Sequence, residues 1–397
     1  MVNYVFLSVY FYSVPNLRFR EFHTEWEKIQ IGNLIKERKE YTSDFEKYPL
    51  YSFTIESGIT PKSDRYERSF LVKKEGDLFK IVHQNDFVMN PMNLRFGALN
   101  YSKINQTVSV SGYYDIFTID ACKYNEFWNA YLKTPRMLYT YNTIATGSLV
   151  EKKRVYFKQL KELKMCIPSE MEKNKINEFI NLLNERIQTQ NKIIDDLVLQ
   201  KKYIISSLLK SIQDNEKIML KDILFDYNIK TTINNEYPVL SSTASGMYLQ
   251  SDYFNKETSS DNTIGYKIVP RGYCTYRSMS DTGLFTFNIQ NLVEKGIVSP
   301  AYPVFSSNDD YINEFIILYL NNSSYIKKQI LELKSGGTRF ALPFSTLCTL
   351  KIPKLEKEKQ LSLIKTITAF ERKIENEEII LNALHQQKIF LLNNMFI

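Results

Sequence analysis

The sequence carries a long internal repeat, and a chain that states one pattern twice is expected to fold into two similar units. Lys80-Ile81-Val82 recurs as Lys267-Ile268-Val269, and Ile187 as Ile374, in each case 187 residues on. Trp26-Glu27-Lys28-Ile29 aligns with Asn215-Glu216-Lys217-Ile218, and Pro49-Leu50-Tyr51-Ser52 with Pro238-Val239-Leu240-Ser241, both at an offset of 189. Further along, Tyr114 falls on Tyr302, Phe117 on Phe305, Arg154 on Arg339, and Ile167-Pro168 on Ile352-Pro353. Small slips between blocks are what surface loops tolerate. A period this long is a domain duplication, because solenoid repeats run at about 20 to 50 residues.

Each half closes on a heptad pattern. Ile176, Ile180, Leu183, Ile187, Gln190, Ile194, Leu197, Lys201, Ile204 and Leu208 step alternately by four and three. The second copy repeats the series as Leu363, Ile367, Phe370, Ile374, Glu377, Leu381, Leu384, Lys388, Leu391 and Met395. No Pro or Gly interrupts either run, so the spacing predicts two long helices joined in a left-handed coiled coil. Its seam is assigned to Ile180, Leu183, Ile187, Gln190, Ile194 and Leu197, and to Ile367, Phe370, Ile374, Glu377, Leu381 and Leu384. Gln190 and Glu377 hold one rank in the two series, and Lys201 and Lys388 another; buried polar positions of this kind cost stability but select register and partner. From Ile176 to Leu208 a helix runs roughly 48 Å. Antiparallel pairing is expected to act as a spacer between the two globular units, longer than one duplex turn of about 34 to 36 Å.

The repeat and the helices divide the chain into residues 1–168, a helix over 169–212, residues 213–353 and a second helix over 354–397. The expected class is α+β with small irregular sheets. Phe79-Lys80-Ile81-Val82 and Tyr266-Lys267-Ile268-Val269 alternate as strands do, and turns are signalled at Gly76-Asp77, Asn90-Pro91 and Arg271-Gly272. Glu314 to Tyr319 reads as a short helix. With 44% apolar and 24% charged residues the 397-residue chain is globular, and a net charge of +7 leans toward an acidic partner. Cys122, Cys166, Cys274 and Cys348 stand singly beside only three histidines, so neither a disulfide framework nor a zinc site is indicated, and a reducing cytoplasm fits. The apolar run from Val2 to Tyr12 is too short to span a bilayer and lacks the positive flank of a signal peptide.

Basic, amide and aromatic residues gather in the loops. Lys62, Arg65, Arg68, Lys73, Lys74, Asn90, Asn93 and Arg95 do so in the first unit, and Arg271, Tyr276, Arg277, Ser278 and Arg339 in the second. Arg and Asn can make paired hydrogen bonds with base edges, while Lys, Ser and Tyr hold phosphates, so these thirteen are the candidate DNA contacts. No catalytic set emerges. The chain lacks a Gly-rich phosphate loop, a dinucleotide fingerprint and the contexts that make a histidine or serine reactive. Asn90-Pro91-Met92-Asn93 lacks the second Pro and the aromatic of a methyltransferase Asn-Pro-Pro-aromatic loop, and Glu332-Leu333-Lys334 is a common helical triplet rather than a nuclease pair. A non-catalytic scaffold joining two protein-binding domains is the alternative, and a self-sufficient nuclease or methyltransferase a third reading.

Five stretches carry a resemblance to a known family: Val14-Pro15-Asn16-Leu17-Arg18-Phe19 with Trp26, Asn90 through Gly97, Val298-Ser299-Pro300-Ala301-Tyr302, Ser335-Gly336-Gly337-Thr338-Arg339, and Ile352-Pro353. In this order and with the duplication, the chain resembles the specificity subunit of type I restriction-modification systems over nearly its whole length. The resemblance implies two target recognition domains, each reading half of a bipartite duplex, and helices that set the spacing and dock two methyltransferase subunits. Restriction subunits with translocase and nuclease activity would join the assembly. It implies no cofactor for this chain, S-adenosylmethionine, ATP and magnesium being used by the partners. Where the family often has Glu-Gln at each helix start, this chain has Glu172-Lys173 and Glu358-Lys359.

Overall fold

The duplication seen in the sequence is reproduced in most of the strand pairings. A computed structural model describes residues 14–55, 58–61, 78–149, 152–253, 262–333 and 340–396. The apolar run at 2–12 and the turn signal at Gly76-Asp77 lie outside the described residues. Two compact units form, residues 1–191 with 379–397 and residues 192–378, so each long helix contributes half its length to each unit.

In the first unit, β1 (Glu27–Gln30), β2 (Ile35–Arg38), β3 (Tyr41–Thr42), β4 (Tyr51–Thr54) and β5 (Gly58–Pro61) come first. They are followed by β6 (Phe79–Val82), β7 (Phe87–Met89), β8 (Leu99–Tyr101), β9 (Val108–Val110) and β10 (Asp115–Ile119). Helices α1 (Asn125–Tyr131), α2 (Pro135–Ile144) and α3 (Phe157–Glu162) precede β11 (Lys164–Ile167), which runs into the long α4 (Glu170–Ser211). The second unit begins with β12 (Lys217–Met219), β13 (Leu224–Asp226), β14 (Leu240–Thr243), β15 (Gly246–Leu249) and α5 (Gln250–Tyr253). Then come β16 (Lys267–Pro270), β17 (Cys274–Tyr276), β18 (Met279–Ser280), β19 (Phe287–Ile289), β20 (Lys295–Val298) and β21 (Val304–Ser307). It ends with α6 (Asn313–Asn322), α7 (Ser324–Glu332), β22 (Phe340–Ala341), α8 (Phe344–Leu347), β23 (Lys351–Pro353) and the long α9 (Lys357–Met395).

The central sheets have the same antiparallel order, β2-β10-β7-β8 in one unit and β13-β21-β17-β19 in the other. The repeated Lys-Ile-Val blocks are β6 and β16, paired with β9 and β20. The hairpins β4-β5 and β14-β15 correspond, as do the pairs β1-β11 and β12-β23 just before each long helix. Even an isolated parallel bridge recurs, Leu50 to Ser109 and Val239 to Ile297. Strands this short hold because their side chains are buried on both faces: every residue of β6, β7, β9 and β17 is out of solvent.

Large aromatic side chains fill the cores. In the first unit Phe87 stacks on Phe117 at 5.5 Å between ring centres, and Phe127, Trp128 and Tyr131 close over them. In the second, Tyr276, Phe287, Phe305, Phe315 and Tyr319 play that part. The long helices are integral to both. Ile176, Ile180 and Met395 belong to the first core, Ile205, Leu209, Leu363 and Ile367 to the second.

Every position of the two heptad series is buried or half-buried, while the intervening helix faces are largely exposed. Within each unit the halves of α4 and α9 pack antiparallel. In the first, Lys388 Nζ donates to Asn184 Oδ1 at 2.5 Å; in the second, Lys201 Nζ donates to Glu371 Oε1 at 2.6 Å. Lys201 and Lys388 are 187 residues apart, as are Asn184 and Glu371, so the two bonds are one bond of the repeat made twice. The helix starts are tied down differently in the two units. Lys173 Nζ donates to Asp120 Oδ2 at 2.6 Å. At the matching rank Gln360, fully buried, accepts from the Ile312 N–H at 3.0 Å and donates to the carbonyls of Asp310 and Leu355.

The seam makes neighbouring substitutions unequal. Ile180→Ala, at 1% exposure, is expected to cost about 2 to 5 kcal/mol, whereas Leu182→Ala, at 63% exposure, should stay within about 0.5 kcal/mol. Urea unfolding of the two variants measures the contrast.

Candidate nucleic-acid interface

Corresponding clefts flank the hairpins of the two units. The cleft of the second, about 630 Å³, is lined by Ser241, Ser242 and Thr243 of β14, by Arg277, Ser280 and Thr282 beyond β17, and by Ser299 and Tyr302. The cleft of the first, about 550 Å³, is lined by Ser52 and Thr54 of β4, by Phe79, and by Ser111, Tyr113 and Tyr114. Ser241 and Tyr302 are the repeat partners of Ser52 and Tyr114. Hydroxyl groups of this density, with an arginine at hand, suit phosphate and base-edge contacts.

Local chemistry explains how the second cleft is held open. The Asn288 amide donates to Ser242 Oγ and to the Thr243 carbonyl, each at 2.9 Å, which fastens the β14-β15 hairpin against β19. Ser278 Oγ donates to the Ala301 carbonyl at 3.0 Å, and the Ser278 carbonyl accepts from the Leu342 N–H. That leaves Arg277, between two anchored neighbours, exposed and with no hydrogen bond or ion pair among the described residues. In the first unit Arg154 lies 5.3 Å over the Tyr113 ring at the cleft wall. The Tyr113 phenol is raised above its ordinary range by burial, and Arg154 opposes that rise.

The remaining candidates scatter. Lys62, Arg65, Arg68, Lys73 and Lys74, in the connection from β5 to β6, lie outside the described residues, as does Arg339. Asn90 is a turn former: its Oδ1 accepts from the Met92 N–H at 3.0 Å, and the turn ends on Gly97 at φ 87°, a conformation that favours glycine. Asn93 is exposed beside it, and Arg95 lies 4.7 Å over the Phe96 ring. Arg271 is engaged by Glu294 Oε1 at 2.8 Å and by the Asn291 carbonyl. Tyr276 requires a correction. Its ring is fully buried and its hydroxyl donates to the Leu342 carbonyl at 2.8 Å, so it is a core residue out of reach of a duplex. Tyr276 closes β17, whose three residues are all buried, and Arg277 lies just past the strand end, exposed.

The hydroxyl linings escaped the sequence reading. Their signal was present, since Pro49 through Ser52 and Pro238 through Ser241 already matched in the repeat, but Ser and Thr are too common on surfaces to stand out without a fold. Near β2, Glu40 Oε2 meets His83 Nε2 at 2.8 Å and Arg38 at 2.7 Å through its other oxygen, and Arg38 reaches the buried Asp86. These four side chains tie β2 and β3 to the turn between β6 and β7. Glu40 is held below the ordinary carboxylate range by His83 and then by Arg38, while burial raises Asp86. Among the described residues no cluster of His, Cys, Asp or Glu is able to hold a metal, and no helix is long and apolar enough to cross a membrane.

No protein-family model matches the chain, and none of the curated proteins does. Solved structures match almost end to end. The S subunit of a type I restriction-modification system from M. genitalium aligns with 97% of this chain and 99% of its own, at 13% identity and a TM-score of 0.50. A chain from a structure describing complex assembly and conformational transition of the type I R-M system aligns with 94% of this chain and 97% of its own, at 11% identity and a TM-score of 0.58. The HsdS subunit from Thermoanaerobacter tengcongensis aligns with 94% of this chain and 96% of its own, at 11% identity and a TM-score of 0.50. The fold of this chain, two similar mixed units sharing a pair of long helices, is that of type I S subunits.

Proposed function

We propose that this chain is the DNA-recognition subunit of a type I restriction-modification complex. Residues 1–168 and 213–353 each read one half of a bipartite duplex, and the helices at 169–212 and 354–397 set the distance between the halves. The observation that carries the reading is the likeness to S subunits over at least 94% of the chain, joined to corresponding hydroxyl-lined clefts in both units. A duplicated reader with one cleft per copy suits a site made of two half-sequences.

The helices also support docking of protein partners. Leu182, Leu199 and Tyr203 of α4 and Ile379, Ile389 and Phe390 of α9 stand exposed outside the seam, apolar groups that a docked partner would cover. Two methyltransferase subunits are the partners this reading assigns to them, with restriction subunits added to the assembly. Chemistry then resides in those partners: this chain binds and orients the duplex in the cytoplasm and supplies no catalytic group.

Sequencing the methylome of cells that carry the system tests the reading directly, a two-part methylated motif being the expected result and its absence the result that refutes it. Arg277→Ala should relax one half-site only, by about 1 to 3 kcal/mol, in competition between duplexes that differ in that half. Equal weakening on every sequence would make Arg277 a phosphate contact. Tyr276→Phe should lower stability by about 1 to 3 kcal/mol in urea, because the Leu342 carbonyl loses its donor, with half-site preference unchanged. Ile187→Asp or Ile374→Asp should impair methyltransferase assembly or shift the spacing of methylated halves; native gels and methylation mapping report each.

A further inference from the structure

The internal repeat supplies a control for reading charge. In each unit a second cleft opens beside the long helices, about 680 Å³ in the first and about 590 Å³ in the second. The repeat carries one lining onto the other: Ile180 onto Ile367, Asn184 onto Glu371, Glu126 onto Glu314, Lys133 onto Asn321, and Lys201 onto Lys388. The scaffold is common to both. The charges differ.

In the second cleft Lys201 and Lys202 face Glu314 and Glu371, so the lining is neutral, and Lys201 is bonded to Glu371. Asn321 serves the fold there, accepting from the Phe287 N–H and donating to the Phe287 carbonyl at 2.9 Å each. In the first cleft Lys103, Lys133 and Lys388 face Glu126 alone, an excess of two positive charges. Glu126 is already engaged by Lys103 and by the Tyr101 hydroxyl at 2.8 Å, and Lys388 meets a neutral amide, Asn184, where its counterpart meets a carboxylate. The Lys133 ammonium has no hydrogen bond or ion pair among the described residues. Burial, then Lys388 and Lys103, push Lys133 down to about 8 against the pull of Glu126. Lys388 is lowered as well, chiefly by burial. Crowded cations half out of water cost free energy, and the second unit builds the same cleft with its lysines balanced by carboxylates. A cost that the fold does not require points to a ligand.

We propose that the first cleft is a phosphate-binding site, in which Lys133, Lys388 and Lys103 hold a dianionic phosphate group above the apolar floor of Ile180 and Leu392. Two negative charges balance the excess, and lysine ammonium groups take phosphate as point charges. The inference goes beyond the reading of sequence by the duplex clefts and stands without it. The phosphate belongs either to a free phosphate compound or to a duplex backbone.

Thermal unfolding of the full chain in increasing inorganic phosphate, with chloride adjusted to constant ionic strength, tests the site. A saturable rise in midpoint is expected for the native chain and for Lys133→Arg. Lys133→Asn and Asn184→Glu, which install the second unit's residues, should weaken phosphate binding by roughly tenfold or more while melting normally in chloride alone. Affinity should also fall from pH 7.5 to 9 as Lys133 loses its proton, with Lys103, Glu126, Lys388 and Tyr101 the other groups facing the site. If free phosphate gives no rise but both variants weaken binding to all duplexes alike and reduce the salt slope by about one, the bound group is a backbone phosphate. A midpoint rise undiminished in both variants, or no difference from the native chain in either assay, overturns the proposal.

Discussion

Apolar burial along a seam spaced by four and three is the interaction on which both units depend, because the same side chains serve the helix pair and the domain cores. Ile176 and Ile180 touch the cluster built on Phe127 and Trp128, and Leu363 and Ile367 the cluster built on Phe315 and Tyr319. Helix pairing and core closure are therefore one event in each unit. The first unit also needs the far end of the chain, since Phe396 stacks on Tyr131 at 5.0 Å and Leu17 donates its N–H to the Asn394 carbonyl. Contacts of such separation close a very long loop, so the first unit completes its core only after the last helix is available.

The two lysines in the seam contribute register more than energy. Half-buried ion pairs and amide bonds of this kind add little net stability once desolvation is counted. A heptad slip in one direction would set Lys201 against Ile364, leaving an ammonium on an apolar side chain. A slip in the other would leave Lys201 near Glu378 and Lys388 near Asn191, which is tolerable, but would draw Met395 and Phe396 out of the aromatic core. Charge forbids one error and packing the other. Neither device would suffice alone.

The parts of the structure with a period were legible. Heptads over 176–208 and 363–395 led to helices Glu170–Ser211 and Lys357–Met395, and the offset of the Lys-Ile-Val blocks led to matching strands. Glu314 to Tyr319 was recognised as helical and extends over Asn313–Asn322. Helices Asn125–Tyr131 and Pro135–Ile144 were not recognised, because Asn, Tyr, Trp and Phe have weak helix propensity and these helices form by burying Phe127, Trp128 and Met137, whereas Glu332, read as part of a helix, closes Ser324–Glu332. At the candidate interface, residue type alone pointed equally to Tyr276 and Arg277, and only the end of a fully buried strand separated a core ring from an exposed guanidinium. Arg271 likewise looked available until Glu294 was found beside it.

Duplication explains why scaffold and chemistry differ in how readily they are read. Both units must bury the same kinds of side chain in the same sheets, so core positions stay apolar and the offset survives. Cleft residues lie outside those sheets, so their charges can change without disturbing the core packing, and the copies are free to diverge. Asn184 and Glu371 illustrate the point: both accept a hydrogen bond from a lysine at the same rank of the seam, yet one leaves its cleft positive and the other neutral. The substitution preserves the bond and alters the field. A difference confined to charge at matched positions, within a fold that is otherwise repeated, is what separate tasks for the two copies would leave behind.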